Sequence, residues 1–218
     1  MNWKFQENSI LNSYNERTAC KEIFQATCDE IGKYYETKGW KYTRSRPKIS
    51  FKNEQIKIEI SFWSSGSNIP GSYVNLEILP TIYSLELINN SKEKGMKSKG
   101  YILSFIELFT ERLNNKPEGS KVIINAFGDI IERIDEHSLT PELKYNKNVN
   151  VYGITETNFV KIIEYIESRI IVWIERINDI NEIDVFLNKL TNETKIELLN
   201  RGFGEFLRLK HPEYLNKH

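Results

Sequence analysis

Strict alternation of apolar and polar side chains runs through two neighbouring stretches, residues 55–62 and 73–78. The apolar positions are Ile56, Ile58, Ile60, Phe62, Val74, Leu76 and Ile78. Because successive side chains of a strand point to opposite faces, this period of two predicts two strands, each with one buried face. We expect them to pair antiparallel in a β-meander, with Pro80 ending the second strand or placing it at an edge.

Helical spacing of apolar residues precedes and follows these strands. Over residues 17–38, apolar side chains recur every three or four positions, which predicts one amphipathic helix. Thr155 is a predicted N-cap for a long helix through Ile177, and further helices are predicted over residues 177–190 and 191–209. The element order predicts an α+β fold: an antiparallel β-meander packed by an N-terminal helix, with a helical C-terminal third.

The whole chain, residues 1–218, is predicted to form a single domain. Its predicted parts are an N-terminal segment at 1–16, the helix and β-meander at 17–150, and the C-terminal helices at 151–218.

Patterns are weaker in the middle of the chain. Residues 88–100 have the composition of a polar loop, and residues 101–113 fit either a helix or a strand. Short strands are predicted at 121–127 and 148–154, and residues 135–150 are predicted to be mainly loop.

Charge is balanced, with 30 Lys and Arg against 30 Asp and Glu, so no global field draws the chain to nucleic acid or to a membrane. No apolar run approaches the roughly 18 residues of a membrane span, and the N-terminal residues lack the apolar core of a signal peptide. Cys20 and Cys28 share one predicted helix about 12 Å apart, too far for a disulfide. We therefore expect a soluble cytoplasmic protein with reduced cysteines and no membrane partner.

The loop between the alternating stretches, Ser64–Ser72, is rich in Ser and Gly. A phosphate-binding Walker loop needs a Lys after its second Gly and a helix to follow, and this loop has neither. It is also longer than the usual two to five residues of a hairpin connection. We predict a hairpin loop whose Ser65, Asn68 and Ile69 contact a partner.

A basic stretch runs from Lys38 to Lys57 and contains one acid, Glu54. In a regular strand, alternate residues would share one face, which predicts a partner-binding face. Its predicted members are Trp40, Tyr42, Arg44, Arg46 and Lys48. Three interpretations remain open: an edge strand kept soluble by charge, a surface for an acidic protein, or a surface for nucleic acid.

Catalytic and metal-binding patterns are sparse. The three histidines, His137, His211 and His218, belong to no metal-binding motif, and periodicity turns both cysteines inward. The triplet Glu142-Leu143-Lys144, with Asp129 or Asp135 upstream, matches the core of metal-dependent nucleases, but Pro141 favours a loop there. We therefore predict no catalytic residue, no metal and no cofactor. Beside protein binding and nucleic-acid binding, a third function class stays open: an enzyme whose carboxylates converge only in the folded chain.

The order of elements also resembles a known group. The first predicted helix ends in the residues KGW, a meander with a Ser-bearing turn follows, and ITETNFVKIIEYIESRIIVWIERINDINEIDVFLNKL comes near the end. Over residues 17–190 this resembles small uncharacterised bacterial α+β domains, some of which look like immunity proteins of polymorphic toxin systems. That group has no settled catalytic motif, so no site residue carries over. The resemblance implies a non-enzymatic cytoplasmic protein that binds another protein.

Two function classes follow for testing. The leading hypothesis is a non-enzymatic, cytoplasmic protein-binding module, of the immunity type, that neutralises a cognate toxin by charge and shape. The alternative is a nucleic-acid-associated protein that uses the basic strand at residues 38–57.

Overall fold

The computed structural model describes residues 2–95 and 97–212, and its architecture is α+β, as predicted. The strands in this part of the chain are β1 Lys41–Thr43, β2 Lys48–Lys52, β3 Ile56–Trp63, β4 Asn75–Ser84, β5 Tyr101–Ser104, β6 Thr110–Arg112, β7 Ser120–Ile124, β8 Ile130–Ile134, β9 Glu142–Tyr145 and β10 Asn148–Asn150. The helices are α1 Cys20–Glu36, α2 Leu85–Glu93, α3 Phe105–Leu108, α4 Glu156–Ile166, α5 Trp173–Arg176, α6 Ile180–Lys189, α7 Asn192–Leu199 and α8 Gly202–Lys210.

The two alternating stretches form the centre of the larger sheet. β3 and β4 pair antiparallel with Ile60 opposite Pro80, and the even-numbered isoleucines of β3 are buried. The strand order is β1-β2-β3-β4-β10, all neighbours are antiparallel, and β5 also pairs with β4. α1 packs against β1 and β2 through a face that includes Ile23, Ile31 and Tyr35. The predicted meander and its N-terminal helix are thereby confirmed.

Pro80 lies inside β4, so the prediction that it ends the strand is wrong. The edge of β4 that faces away from β3 is shared: β10 pairs with its first part and β5 with its last part. The amides of Ile78 and Ser84 donate across this edge to Lys147 O at 2.8 Å and Gly100 O at 2.7 Å. By strand alternation the Pro80 nitrogen faces the same edge, between the two partner strands, so the missing N–H costs no ladder hydrogen bond.

A second, smaller sheet has the strand order β6-β9-β7-β8. β7 pairs antiparallel with β8 and parallel with β9. Ile124, Leu143 and Tyr145 lie on the face that packs against the core, whereas every residue of the edge strand β8 is exposed. β7 overlaps the strand predicted at 121–127 but begins at Ser120 and ends at Ile124, and the loop predicted at 135–150 is wrong where β9 forms.

The segment after β4 is helical rather than a loop. Ser84 caps α2, because its Oγ accepts the Leu87 N–H at 3.2 Å, and the buried Leu87 anchors the helix. The polar loop predicted at 88–100 is therefore wrong over its first residues. Residues 101–113 contain a strand, a short helix and a second strand in turn, so both alternatives left open there are realised.

The helical C-terminal third begins where the sequence predicts. Thr155 Oγ1 accepts the Asn158 N–H at 3.2 Å and caps α4. α4 continues through a π-helical turn, Glu167–Ile171, into α5, and its inward face carries Ile166 and Trp173.

Residues 191–209 form two helices rather than the single one predicted. α7 ends near Asn200, and α8 begins at Gly202. A Cβ at Gly202 would lie 2.0 Å from the carbonyl oxygen of Tyr101. Glycine therefore permits the close approach of α8 to β5.

Candidate functional site

The basic stretch folds into a hairpin rather than one strand. β1 and β2 pair with Thr43 opposite Lys48, and residues 44–47 form the turn between them. The predicted common face is therefore wrong for Arg44 and Arg46, which belong to the turn. Pro47 is the last residue of this turn.

Trp40 lies in the core. Its indole is 7% exposed and packs against Tyr35, with ring centroids 5.3 Å apart, and against Phe51 at 5.2 Å. The prediction that Trp40 shares an exposed face with the basic residues is wrong, because α1 covers this end of the sheet.

Tyr42 and Arg44 are both tied to α1. The Tyr42 hydroxyl donates to Asp29 Oδ1 at 2.9 Å, and Arg44 Nε lies 3.1 Å from each Asp29 oxygen. Burial, and then the hydrogen bond to Asp29, raise the pKa of the Tyr42 phenol. The Tyr42 ring also packs over Gly32, where a Cβ would lie 2.4 Å from Cγ of the ring. These two predicted partner residues fasten the edge of the sheet to α1.

A hollow of about 760 Å³ brings together the remaining predicted residues except Ile69, which does not line it. It lies where the start of α1, the β1–β2 turn and the β3–β4 loop meet. We call it the basic cleft. Its lining includes the cations Lys21, Arg46 and Lys48, the apolar residues Phe24, Pro47 and Phe62, and, at the β3–β4 loop, Trp63, Ser64, Ser65 and Asn68. The two surfaces predicted separately, the basic stretch and the Ser64–Ser72 loop, are thus walls of one cleft.

Charge in the basic cleft is one-sided. Among its lining residues in the described part of the chain, three are cations and none is an acid. Lys48 Nζ lies 2.7 Å from Glu59 Oε1, whereas Lys21 and Arg46 make no ion pair with any described residue. Two positive charges from separate segments are therefore left to act on whatever enters the cleft.

Glu59 is held ionised beside the cleft. Partial burial alone would raise the pKa of its carboxyl, but the hydrogen bonds from Lys48 and Lys57 outweigh burial and lower it. Lys57 Nζ is 3.2 Å from the same Oε1 atom. Lys48 is thus the fixed cation of the cleft, while Lys21 and Arg46 are the unpaired ones.

The β3–β4 loop is built around a smaller turn. Ile69 and Tyr73 form a bridge, with Ile69 N–H donating to Tyr73 O at 2.8 Å. The Asn68 amide spans the base of the loop, because its Oδ1 accepts the Asn75 N–H at 2.8 Å and its Nδ2 donates to Ser64 at 2.8 Å. This inner turn accounts for the excess length of the loop. It is a hairpin connection, as predicted, and no helix follows it.

Two large apolar side chains stand exposed at the cleft end of the molecule. Trp63, the last residue of β3, is 63% exposed, and Ile69, at the turn of the loop, is 58% exposed. Ser65 and Asn68 are half-buried between them. Exposed aromatic residues beside a pocket are typical anchors of protein interfaces.

Sequence reasoning missed Lys21 and Trp63 as members of this site. Lys21 reaches the cleft from the first turn of α1, and only the tertiary fold places it beside Arg46. Trp63 had a usable signal, since its odd number puts it on the polar face of the alternating strand, opposite Phe62.

The Glu142–Lys144 triplet lies on strand β9, so the loop favoured there by Pro141 is wrong. Lys121 lies between the carboxylates of Asp135 and Glu142. Its Nζ is 2.9 Å from Asp135 Oδ2 and 3.7 Å from Glu142 Oε2. In the described part of the chain, no group of three His, Cys, Asp or Glu side chains is placed to hold a metal ion.

The remaining reactive side chains stand apart from one another. Burial raises the pKa of the Cys28 thiol well above its usual value, and Cys20 is half-buried in the same helix. His137 is exposed on the small-sheet side and His211 follows α8, while His218 lies outside the described residues.

No known protein family, curated protein or solved structure shows significant similarity to this chain. Within the described residues, none of the helices has the length and apolar character needed to cross a bilayer.

Proposed function

We propose that this chain is a non-enzymatic protein-binding module whose basic cleft receives an acidic segment of a partner protein. The observation that carries the proposal is the convergence of Lys21 from α1 and of Arg46 and Lys48 from the β1–β2 hairpin on one hollow whose described lining contains no acid. Complementary charge of this kind steers association and selects partners. In the immunity-type role, the partner is a cognate toxin, and binding covers its active surface in the cytoplasm.

Apolar contact supplies the rest of the binding energy. Phe24, Pro47 and Phe62 line the cleft below the cations, and Trp63 and Ile69 stand exposed beside it. A partner segment that places an apolar side chain between acidic ones would meet both kinds of surface. Buried aromatic anchors surrounded by weaker contacts are the usual source of interface affinity.

The free cysteines agree with a reducing compartment. Cys20 and Cys28 form no disulfide, and thiols stay reduced mainly in the cytosol. A cytoplasmic location is therefore part of the proposal.

The experiment reverses the two unpaired charges of the cleft. The variant Lys21→Glu with Arg46→Glu is compared with the wild-type chain and with a matched control, Lys92→Glu with Lys94→Glu, on and after α2. The probe is the product of the gene adjacent to this one, tested for toxicity and for direct binding by titration calorimetry.

We expect the adjacent product to be toxic, growth to be rescued by the wild type and the control, and the cleft variant to bind about tenfold or more weakly. A non-toxic neighbour that does not bind, or equal binding by the cleft variant and the control, would overturn the proposal.

One observation favours the second candidate, a nucleic-acid-associated protein. Trp63 is exposed beside cationic side chains, as in surfaces that stack bases and neutralise phosphates. The buried Trp40 and the α1-bound Tyr42 and Arg44 leave this surface with fewer contacts than the sequence predicts. Binding of a labelled single-stranded oligonucleotide that weakens steeply with salt, and that Trp63→Ala and Arg46→Glu both reduce, would favour this candidate over the first.

A further inference from the structure

Exposed isoleucines are concentrated on one strand of the small sheet. Ile130, Ile131 and Ile134 of β8 are 64%, 52% and 81% exposed, and all five residues of the strand lie at the surface. β8 is an edge strand, since it pairs only with β7 among the described residues. Exposed apolar edges are templates for pairing with another strand, and stable proteins normally shorten, charge or cover them.

Other edge strands in the described part of the chain are protected in these ways. β1 is three residues long and fastened to α1, and β6 is a three-residue strand of polar residues, Thr110–Arg112. β10 is also three residues long and carries two Asn side chains. β8 is longer than each of these and has isoleucine at three of its five positions.

The backbone of β8 leaves one set of groups free. Asp135 N–H donates to Gly119 O at 2.7 Å, and Asp129 O accepts from Asn125 N–H at 3.1 Å, so the odd-numbered residues of β8 face β7. By alternation, the N–H and C=O groups of Ile130, Glu132 and Ile134 point outward. The free edge therefore offers an alternating row of donors and acceptors.

We propose that β8 pairs antiparallel with β8 of a second copy of this chain and joins the two small sheets into one. In a twofold-symmetric antiparallel pair, one residue must face its own copy. Centring the pair on Ile131 places Ile131 against Ile131 and Asp129 against Arg133 of the second copy, twice by symmetry. Centring it on Glu132 or Arg133 would oppose like charges.

Of the registers centred on Ile131, Glu132 or Arg133, only the Ile131 register directly opposes no like charges, and its two Asp129–Arg133 pairs fit a second copy of this chain. Asp129 and Arg133 are both exposed, and Arg133 makes no ion pair with any described residue. On the same face, the Ile131 pair lies between the two Asp129–Arg133 pairs. On the other face, Ile130 of each copy lies diagonally across from its counterpart, within reach of apolar contact.

Two charge variants test the register. Asp129→Arg and Arg133→Asp each place like charges opposite one another across the homodimer, but an equal mixture of the two variants restores opposite charges at both cross-strand positions. Glu93→Arg on α2 is the matched control for a single charge change.

A third variant tests the backbone pairing. Glu132→Pro removes an outward-facing N–H and leaves the hydrogen bonds between β8 and β7 intact. Circular dichroism and thermal unfolding verify that each variant keeps the wild-type fold.

Sedimentation equilibrium of the full chain measures the result. We expect a concentration-dependent dimer, weakened about tenfold or more by either charge variant and abolished by Glu132→Pro, unchanged by Glu93→Arg, and recovered in the mixture of D129R and R133D. A chain that stays monomeric, or a dimer that none of these edge variants affects, would overturn the proposal.

Discussion

The two sheets differ in how the fold treats their surfaces. The larger sheet buries one entire face of β3, where Ile58 and Ile60 are inaccessible to solvent, and its first edge is fastened to α1 through Tyr42. The smaller sheet ends in β8, which carries isoleucine outward on both faces. Isoleucine in a strand therefore does not by itself indicate burial. In β3 it specifies the core, and in β8 it specifies an uncovered edge.

Substituting proline for one glutamate in each sheet should give the largest difference in unfolding free energy between the two sheets. Glu59 lies in the interior strand β3, where Phe62 N–H donates to Pro47 O, so the odd-numbered amides face β4. Glu59→Pro loses a ladder hydrogen bond and two ion pairs, and we expect it to cost about 3 kcal/mol or more of unfolding free energy. Glu132→Pro, on the free edge, should cost less than about 1 kcal/mol at protein concentrations where the chain is monomeric. Urea denaturation measures both, and equal losses would contradict the assignment of β8 as a free edge.

Truncating an isoleucine in each sheet should give the next largest difference. Ile60→Ala leaves a cavity in the core and should cost about 2–5 kcal/mol. Ile131→Ala removes a side chain that is 52% exposed and should change the unfolding free energy by about 0.5 kcal/mol or less at protein concentrations where the chain is monomeric. The contrast would break down if Ile131→Ala were as costly as Ile60→Ala.

A substitution in α1 can test the contact that holds the β1 edge of the larger sheet to this helix. Gly32→Ala places a methyl group 2.4 Å from the Tyr42 ring, so the ring, whose hydroxyl bonds to Asp29, must shift. We expect a loss of about 1–3 kcal/mol, read by thermal unfolding, with Lys33→Ala on the exposed side of the same helix as the control. Equal stability of the two variants would show that β1 does not depend on this contact.

The smallest effect concerns pH. Because the folded-state pKa of Glu59 is lowered, its ionised form contributes stability at pH values above its ordinary pKa of 4.5, and this contribution is lost as pH falls through the folded-state pKa. The stability difference between the wild type and Glu59→Gln should therefore be largest near neutral pH and shrink in acid. A difference that stays constant from pH 7 to about pH 3 would argue against the paired carboxylate.

Sequence patterns predicted the elements in which burial imposes a period. β3, β4 and α1 are each half-buried, so their apolar residues recur at two or at three to four positions, and all three form where predicted, although β4 continues past Pro80. β8 and β9 escaped prediction for different reasons: β8 is exposed throughout and does not alternate, and β9 alternates over only four residues. α2 was not predicted because most of its residues are polar and only a few apolar residues, such as the buried Leu87, anchor it.

The candidate site was only partly predictable for a related reason. Arg46, Lys48, Ser65 and Asn68 were found from local composition, and all four line the basic cleft. Their convergence, and the arrival of Lys21 from α1, depend on contacts between segments distant in sequence. The burial of Trp40 likewise depends on the position of α1. The alternation of residues along a strand predicts which of them share a face, but not which part of that face a helix covers.

The sharing of one edge of β4 has a consequence for the chain between its two partners. The backbone leaves this edge at Ser104, opposite Thr81, and returns at Asn148, opposite Glu77. These two points are four residues apart along β4, or about 13 Å. The whole small sheet is therefore inserted between two nearby points on one edge of β4. Residues 105–146 could be lengthened or replaced while the hydrogen bond from Ile78 N–H to Lys147 O is kept, provided that the replacement also covers the core where Phe109 and Tyr145 now pack.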